Sequence, residues 1–382
     1  MNVSSEQIEL LDEGATGLEQ EDTSSESSET EILQPFDPSL IRVEMQPMTV
    51  SLLLSRVSHN EINLQPGFQR KAGIWTLGAQ SRLIESLLIR IPIPAFYMDG
   101  TDDDQWLVVD GLQRLTALKH FVLDRSLHLM GLEFLHDLNG KTFDKLARNF
   151  QRRIEETQIT VFVIQENTPA EVKYNVFKRI NTGGLPLSAQ EIRHALYPGR
   201  SADLLKELAA SKQFQLATAG AIRDDRMGDR ECILRALAFM IFPPETYRSS
   251  ELDTFLNKAI QEINSYNDQK VSNLRQRFLK ALDLSRSIFG KHAFRKHLPN
   301  QNFRSPINKA IFETWVVAFS KLTDSQAQES LTKKATISSK FSNLLLHDQR
   351  FVSSVSIGTG DVVKIRYRFQ EVTRLLMESI NA

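Results

Sequence analysis

The spacing of apolar residues changes near residue 200, and this change constrains the fold more than any other feature of the sequence. Between about 40 and 200, short apolar runs typical of buried strands alternate with stretches of helical periodicity. The predicted strands lie at 62–64, 95–98, 106–109 and 159–164, and the predicted helices at 77–89 and 112–123. After 200, strand signals nearly vanish and amphipathic stretches follow at 228–242, 251–263, 270–289, 305–321 and 361–379. The pattern predicts an α+β fold, in which an α/β domain precedes a mainly helical region with one small hairpin near 350–366.

Acidic residues are distributed unevenly along the chain. Residues 1–36 hold ten of them and no Lys or Arg, in a segment rich in Ser and Thr. Such a segment buries too little apolar area to offset the entropy of ordering, so it is predicted to be a disordered acidic tail. The rest of the chain carries a net charge of +9, which favours phosphate-bearing partners but also fits an ordinary solvated surface. The predicted domains are the tail at 1–36, an α/β domain at 37–200 and a helical domain at 201–382.

Some classes of protein and of site do not fit the sequence. No apolar run approaches the roughly 18 residues that span a bilayer, and the first thirty residues are acidic, unlike a secretory signal. We therefore expect a cytoplasmic protein without a membrane partner. Gly140-Lys141-Thr142 resembles the end of a Walker A loop, but Leu135 occupies the position that requires glycine. The histidines lack metal-binding spacings, and there is no Gly-x-Ser-x-Gly motif of a serine hydrolase.

The strongest local signal is the run Asp110-Gly111-Leu112-Gln113-Arg114, which follows a predicted strand and opens a predicted helix. A helix N-terminus presents free N–H groups and a partial positive charge, and a glycine lets a phosphate approach the backbone. Arg114 adds a charged fork, and Asp110 can hold Mg²⁺ or position a water. The structural alternative is that Asp110 merely caps the helix, since aspartate is a favoured N-cap.

Two further segments offer polar side chains to a ligand. Gln69 and Arg70 lie in a loop broken by Pro66 and Gly67, ahead of Trp75. The second segment, 177–191, predicts a helix that ends at two glycines and another that begins at a capping box of Ser188 and Glu191. Lys178, Arg179 and Asn181 lie at the end of the first of these helices, where they can reach a phosphate or are simply solvated.

Basic residues are interleaved with phenylalanines between 275 and 304, as on some nucleic-acid-binding surfaces. The phenylalanines fall mostly at helical spacing, which favours a role in the core over stacking on bases.

In this order, the motifs resemble the N-terminal domain of GmrSD-type restriction endonucleases, a family related to the ParB and sulfiredoxin superfamily. The family's Pro-x-x-Gln-Arg-x-x-x-Trp pattern corresponds to 66–75, with one extra residue before the tryptophan. Its Asp-Gly-Gln-Gln-Arg signature corresponds to 110–114, with Leu112 in place of the first glutamine. Its Phe-x-x-Ile-Asn and Leu-Ser-x-x-Glu elements correspond to 177–181 and 187–191. Later helical elements of the family resemble 223–235 and 308–310, so the resemblance extends over about 40 to 380.

The resemblance implies a ParB-like nucleotide-binding domain at 37–200 that binds and hydrolyses a nucleoside triphosphate with Mg²⁺, in bacterial restriction of modified or foreign DNA and antiphage defence. The predicted catalytic residues are Asp110, Gln113 and Arg114, with Asp110 also the predicted Mg²⁺ ligand. The predicted nucleotide-binding or phosphate-binding residues are Gln69, Arg70, Gly111, Lys178, Arg179 and Asn181. Leu112 leaves the acid, the glycine and the arginine in place, so we expect binding to survive the substitution.

The expected partners are a nucleoside triphosphate, DNA and a separate nuclease protein, and the sequence is compatible with a homo-oligomer. The nuclease is expected because many relatives carry an HNH nuclease signature, Glu-His-Ile-x-Pro, which this sequence lacks. Two alternatives stay open. The same cluster can bind a DNA phosphodiester, as in a nuclease, or it can bind nucleotide without turnover, as a switch that controls DNA or partner binding.

Overall fold

A computed structural model of the protein describes residues 17–19, 41–64, 75–180, 187–222, 224, 226–248, 252–298 and 304–381. The chain forms two compact units, a sheet unit at Phe36–Leu187 and a helical unit at Ser188–Ala382, to which residues 17–19 also belong. The units therefore meet in sequence at Leu187 and Ser188, whereas the apolar pattern placed the border near 200. None of the described helices combines the length and the apolar character needed to cross a membrane.

The sheet unit contains a mixed five-stranded sheet in the order β1-β5-β3-β4-β2. Its strands are β1 (Val43–Thr49), β2 (Ile62–Asn63), β3 (Phe96–Asp99), β4 (Trp106–Asp110) and β5 (Gln158–Ile164). Its helices are α1 (Val50–Ser58), α2 (Leu77–Leu88), α3 (Leu112–Leu118), α4 (Arg148–Glu155) and α5 (Ala170–Ile180). Strand β5 pairs antiparallel with β1 and parallel with β3, and β4 pairs antiparallel with β3 and parallel with β2. The mixed α+β class is thereby confirmed.

One face of the sheet forms the core of this unit. Phe96, Met98, Val161 and Val163 are buried on this face, and helices α1 to α3 pack in the same cluster. Thr76 is the N-cap of helix α2: its hydroxyl accepts a hydrogen bond from the Ala79 N–H at 3.2 Å and satisfies one of the free donors of the helix end. The four predicted strands and both predicted helices are confirmed within one or two residues, except that the last turn predicted for α3, Lys119–Leu123, is π-helical.

Strand β1 was not predicted. It is an edge strand with a proline at position 47 and exposed Val43 and Met45, so it lacks the buried alternation that marks the other strands. Only its pairing with β5 makes it a strand.

Helices make up each of the longer segments that the structure describes in the helical unit. Its helices are α6 (Ala189–Leu196), α7 (Arg200–Ala210), α8 (Lys212–Thr218), α9 (Gly228–Ile241), α10 (Leu252–Ser265), α11 (Asp268–Phe289), α12 (Lys309–Ser320), α13 (Asp324–Thr332), α14 (Lys334–His347), α15 (Gln349–Ser354) and α16 (Val362–Ile380). The predicted helical region is confirmed, and so is the capping box of Ser188 and Glu191. The hairpin predicted near 350–366 is wrong, because helices α15 and α16 occupy that stretch.

Motif residues of the helical unit hold its helices together. Glu313 is fully buried, and its carboxylate accepts a hydrogen bond from Arg235 Nε at 2.7 Å and another from Arg368. Asn308 caps α12 by accepting from the Ile311 N–H at 2.8 Å. The interleaved phenylalanines at 278 and 294 are buried, Phe278 on helix α11 as its helical spacing predicts and Phe294 in a turn outside the helices.

Three residues of the N-terminal acidic segment are held against the helical unit. The Glu19 N–H donates to the Ile307 carbonyl at 2.8 Å, and Leu18 is buried. The Glu19 carboxylate accepts from Lys296 and, at 3.0 Å, from the Asn308 side chain. For 17–19 the structure therefore differs from the disordered tail predicted for 1–36, because a single leucine and one carboxylate find specific partners that composition does not reveal.

Candidate functional site

The predicted turn at the end of β4 is present. Strand β4 ends at Asp110, and Gly111 is the N-cap of α3 with a φ of +102°, a left-handed conformation that favours glycine. A Cβ added at Gly111 would lie 2.4 Å from Cδ1 of Phe96, a side chain that is fully buried. Gly111 is therefore required by both the backbone conformation and the close packing of the turn on Phe96.

Arg114 folds back onto this turn instead of reaching into solvent. Its guanidinium donates to Asp110 Oδ2 at 2.7 Å, to the Ala95 carbonyl at 3.1 Å and to the Pro94 carbonyl. It also lies 4.6 Å over the ring of Phe96. Burial lowers the pKa of Arg114, although the Asp110 carboxylate acts in the opposite direction. The guanidinium stays charged at neutral pH and holds one oxygen of Asp110 in place.

Asp110 does not cap the helix. Helix α3 has Gly111 as its N-cap and no side-chain hydrogen bond there, so the capping alternative for Asp110 is wrong. The Asp110 side chain keeps 22% of its surface exposed. The N–H groups of the first turn of α3 have no carbonyl partner within the helix, as at any helix start. A partly exposed carboxylate thus stands beside free backbone donors.

Gln113 connects this turn to the last residue of the first motif, Trp75. Its Oε1 accepts from the Trp75 N–H at 3.3 Å. The Trp75 carbonyl in turn accepts from the Gln80 side chain at 3.0 Å, whose Oε1 lies 3.2 Å from His120 Nδ1. The tryptophan of the first motif and the glutamine of the second are therefore in direct contact.

The other predicted binding residues do not lie in this turn, or lie outside the described residues. Lys178 and Arg179 are exposed in the last turn of α5, a different element from the turn at Asp110. Gln69, Arg70 and Asn181 lie outside the described residues. The structure thus brings Asp110, Gly111, Gln113 and Arg114 together in one turn. That the other five predicted residues contact the same ligand stays a prediction.

Sequence reasoning missed a buried ion pair beside the sheet. Lys173 of α5 donates to the Asp99 carboxylate at 3.2 Å and to the Thr101 hydroxyl, and both members of the ion pair are buried. The pair fixes α5 to the end of β3. The Asp-Gly turn at Asp99 was a visible signal, but nothing in the sequence pointed to a lysine 74 residues later as its partner.

Sequence reasoning also missed two aromatic residues, Tyr97 and Phe162. Their rings are stacked at a centroid distance of 5.0 Å and an interplanar angle of 18°. Tyr97 is the register partner of Asp110 across β3 and β4. Alternation along β3 was the available signal, because Phe96 and Met98 are buried and Tyr97 must face the other way.

Within the described part of the sheet unit, the turn coincides neither with the cavity given below nor with a metal cluster. A cavity of about 380 Å³ lies elsewhere in the sheet unit, between Leu77 and the loop 126–140, and no residue of the turn lines it. Among the described residues, no group of three or more His, Cys, Asp or Glu side chains is arranged to hold a metal ion.

The fold and this turn define an α+β domain with a strand-turn-helix motif built on Asp-Gly-x-Gln-Arg. Residues 52–198 match the family model described as "GmrSD restriction endonuclease, N-terminal domain". This part of the chain therefore belongs to the GmrSD N-terminal domain family, as its motifs indicated. Comparisons with curated proteins and with solved structures gave no significant match.

Proposed function

We propose that the protein is a nucleoside-triphosphate-binding and hydrolysing component of a DNA-restriction, antiphage defence system. The observation that carries the proposal is the pairing of Asp110 with Arg114 beside the uncapped start of α3, within a domain of the GmrSD type. A restriction role agrees with the domain match, and DNA and a separate nuclease protein are the partners we propose. The net charge of +9 outside the acidic segment favours binding of both DNA and nucleotide phosphates.

The first-turn amides of α3 are the proposed phosphate donors. They point out of the helix start, where the helix dipole adds a partial positive charge. The space beside Gly111 is already filled by Phe96, so the proposed role of the glycine is to form the turn that directs these amides. Lys178, Arg179, Gln69, Arg70 and Asn181 are proposed to neutralise or orient the rest of the triphosphate.

Asp110 is the proposed catalytic residue, and it acts by orienting the attacking water. Arg114 holds Oδ2 of Asp110, and the Asp110 side chain is 22% exposed, so the proposed role falls to the other oxygen. A single carboxylate suits Mg²⁺ that is bound mostly by phosphates and water, and Asp110 would hold such an ion. Bound there, Mg²⁺ would neutralise charge on the phosphates.

Arg114 and Gln113 are proposed to act through other residues. The sequence suggested a direct contact between Arg114 and phosphate. The observed contacts favour a positioning role, because its guanidinium already serves Asp110 and two carbonyls. Gln113 is proposed to hold Trp75, the residue that follows the sequence segment containing Gln69 and Arg70.

The test is phosphate release from the four common nucleoside triphosphates with Mg²⁺, with and without DNA, by the full-length protein and by Asp110→Asn. The asparagine keeps an acceptor for Arg114, so we expect an intact fold and a loss of release of about 100-fold or more. Unchanged release by the variant would remove Asp110 from the chemistry. Metal-dependent plasmid cutting without nucleotide would instead favour a nuclease, and tight binding without release would favour a nucleotide-controlled switch.

A further inference from the structure

One row of side chains crosses the sheet on the face opposite the core. Strand register pairs Met45 with Phe162, Phe162 with Tyr97, and Tyr97 with Asp110. Register partners on neighbouring strands project to the same face of a sheet. The two aromatic rings and Met45 therefore share one face. Asp110 lies opposite Tyr97 on the neighbouring strand, next to a β-bulge that shifts the register between Tyr97 and Met98.

This row is incompletely covered. Met45 is 61% exposed, and Tyr97, Phe162 and Asp110 are each half-buried. Helix α5 borders the same face, because its Lys173 contacts Asp99, two residues after Tyr97 on β3. The cations Lys178 and Arg179 lie on this bordering helix.

The arrangement of the two rings suits a planar ligand. The ring planes of Tyr97 and Phe162 are nearly parallel, at 18° and with centroids 5.0 Å apart, so the rings stack on each other and each keeps one outer face. The outer face of a half-buried aromatic ring offers a π-surface that every nucleobase can stack on, in the way that sheet-borne aromatic residues bind bases. Aliphatic packing alone does not require two aromatic rings in register with a carboxylate.

We infer that Tyr97 and Phe162 form a stacking platform for the base of a nucleotide whose phosphates lie at the Asp110–Gly111 turn. The inference rests on the proposed function, which it deepens by assigning the base subsite. Stacking is tolerant of base identity, so the platform contributes affinity for adenine and guanine nucleotides alike. The bound base can belong to a free nucleotide or to an unpaired base of single-stranded nucleic acid, and the test separates these sources.

The test compares two probes, a nucleoside triphosphate and inorganic tripolyphosphate, which has the phosphates but no base. Calorimetric titration with Mg²⁺ is carried out on the full-length wild type, Tyr97→Leu, Phe162→Leu and Tyr97→Phe. We expect the leucine variants to bind ATP and GTP about 5- to 100-fold more weakly, while tripolyphosphate binds them as it binds the wild type. Tyr97→Phe retains the ring and is expected to bind normally.

A matched control variant and the thermal melting curve of each variant test whether weaker binding is caused by misfolding. Val43→Ala removes an exposed apolar side chain from the neighbouring row of β1, and is expected to leave binding of both probes unchanged. Leucine variants that bind ATP, GTP and tripolyphosphate with wild-type affinity would overturn the platform and leave the turn as a phosphate site.

The failure of the proposed function has a different signature. If neither triphosphate nor tripolyphosphate binds the wild type, the nucleotide proposal fails. The platform then survives only if a single-stranded oligonucleotide binds the wild type and binds Tyr97→Leu at least 5-fold more weakly. If the oligonucleotide does not bind, or binds both proteins equally, the platform is overturned as well.

Discussion

Replacement of Arg114 by lysine is expected to destabilise the sheet unit, independently of any chemistry at the turn. The guanidinium is buried and donates to the Asp110 carboxylate and to the carbonyls of Pro94 and Ala95. A lysine ammonium cannot reproduce this planar fork and keeps at most one of the three contacts. With about 1 kcal/mol for each neutral acceptor and about 2 kcal/mol for the carboxylate, the loss of two of these contacts lowers the free energy of unfolding by about 2–3 kcal/mol.

The assay is urea unfolding followed by tryptophan fluorescence in a Trp315→Phe background, so that Trp75 and Trp106 report on the sheet unit alone. Asp110→Asn is the matched control. Its amide oxygen still accepts from Arg114, so we expect a loss of only about 1 kcal/mol. An Arg114→Lys protein within about 0.5 kcal/mol of the wild type would refute the positioning role, because two buried contacts cannot be lost at so small a cost.

Three further predictions concern contacts that the structure shows. Gly111→Ala is expected to lower the free energy of unfolding by about 2–4 kcal/mol, because the left-handed backbone becomes strained and the new methyl clashes with Phe96. A calorimetric melting temperature equal to that of the wild type would contradict this. Glu85 accepts three backbone N–H groups; its burial raises the pKa, but these hydrogen bonds outweigh it and lower the pKa overall. The ionised Glu85 therefore stabilises the fold fully at neutral pH, and this stabilisation is lost as pH falls below about 4. Urea unfolding of the wild type and Glu85→Gln must show a difference in stability that shrinks on acidification; a difference that grows would contradict this. Leu18→Asp is expected to release residues 17–19 from the rest of the helical unit. Hydrogen exchange at the Ile307 amide, which donates to the Gly17 carbonyl, should then become faster. Unchanged exchange would mean that Leu18 does not hold this contact.

The local elements near the site followed from the sequence because their signals are short in range. The apolar run of β4, the glycine after it and the periodicity of α3 are all contained within residues 106–118, so the strand-turn-helix could be predicted. The capping box at Ser188 and Glu191 is equally local. Strand β1 was missed because its conformation depends on pairing with β5, more than 100 residues away.

The roles of the motif residues depended on contacts between distant parts of the chain. Sequence alone made Arg114 a free cation for phosphate, and the structure ties it to Asp110 and to the segment before β3. The stacked pair of Tyr97 and Phe162 is equally invisible in the sequence, because its members lie on strands separated by 65 positions and meet only through sheet register.

By itself, the sequence determined the α+β class, the helical character of the second half, the family of residues 52–198 and the turn at 110–114. These follow from apolar periodicity, turn chemistry and motif spacing, which act over a few residues. Only the tertiary structure decided that Arg114 holds Asp110 and that the packing of Phe96 requires Gly111. It also decided that Tyr97 of the aromatic pair lies opposite Asp110 in strand register and that Leu18 is buried. The physical reason is that side-chain partners are set by strand order, register and packing, and these bring together residues whose separation along the chain carries no local signal.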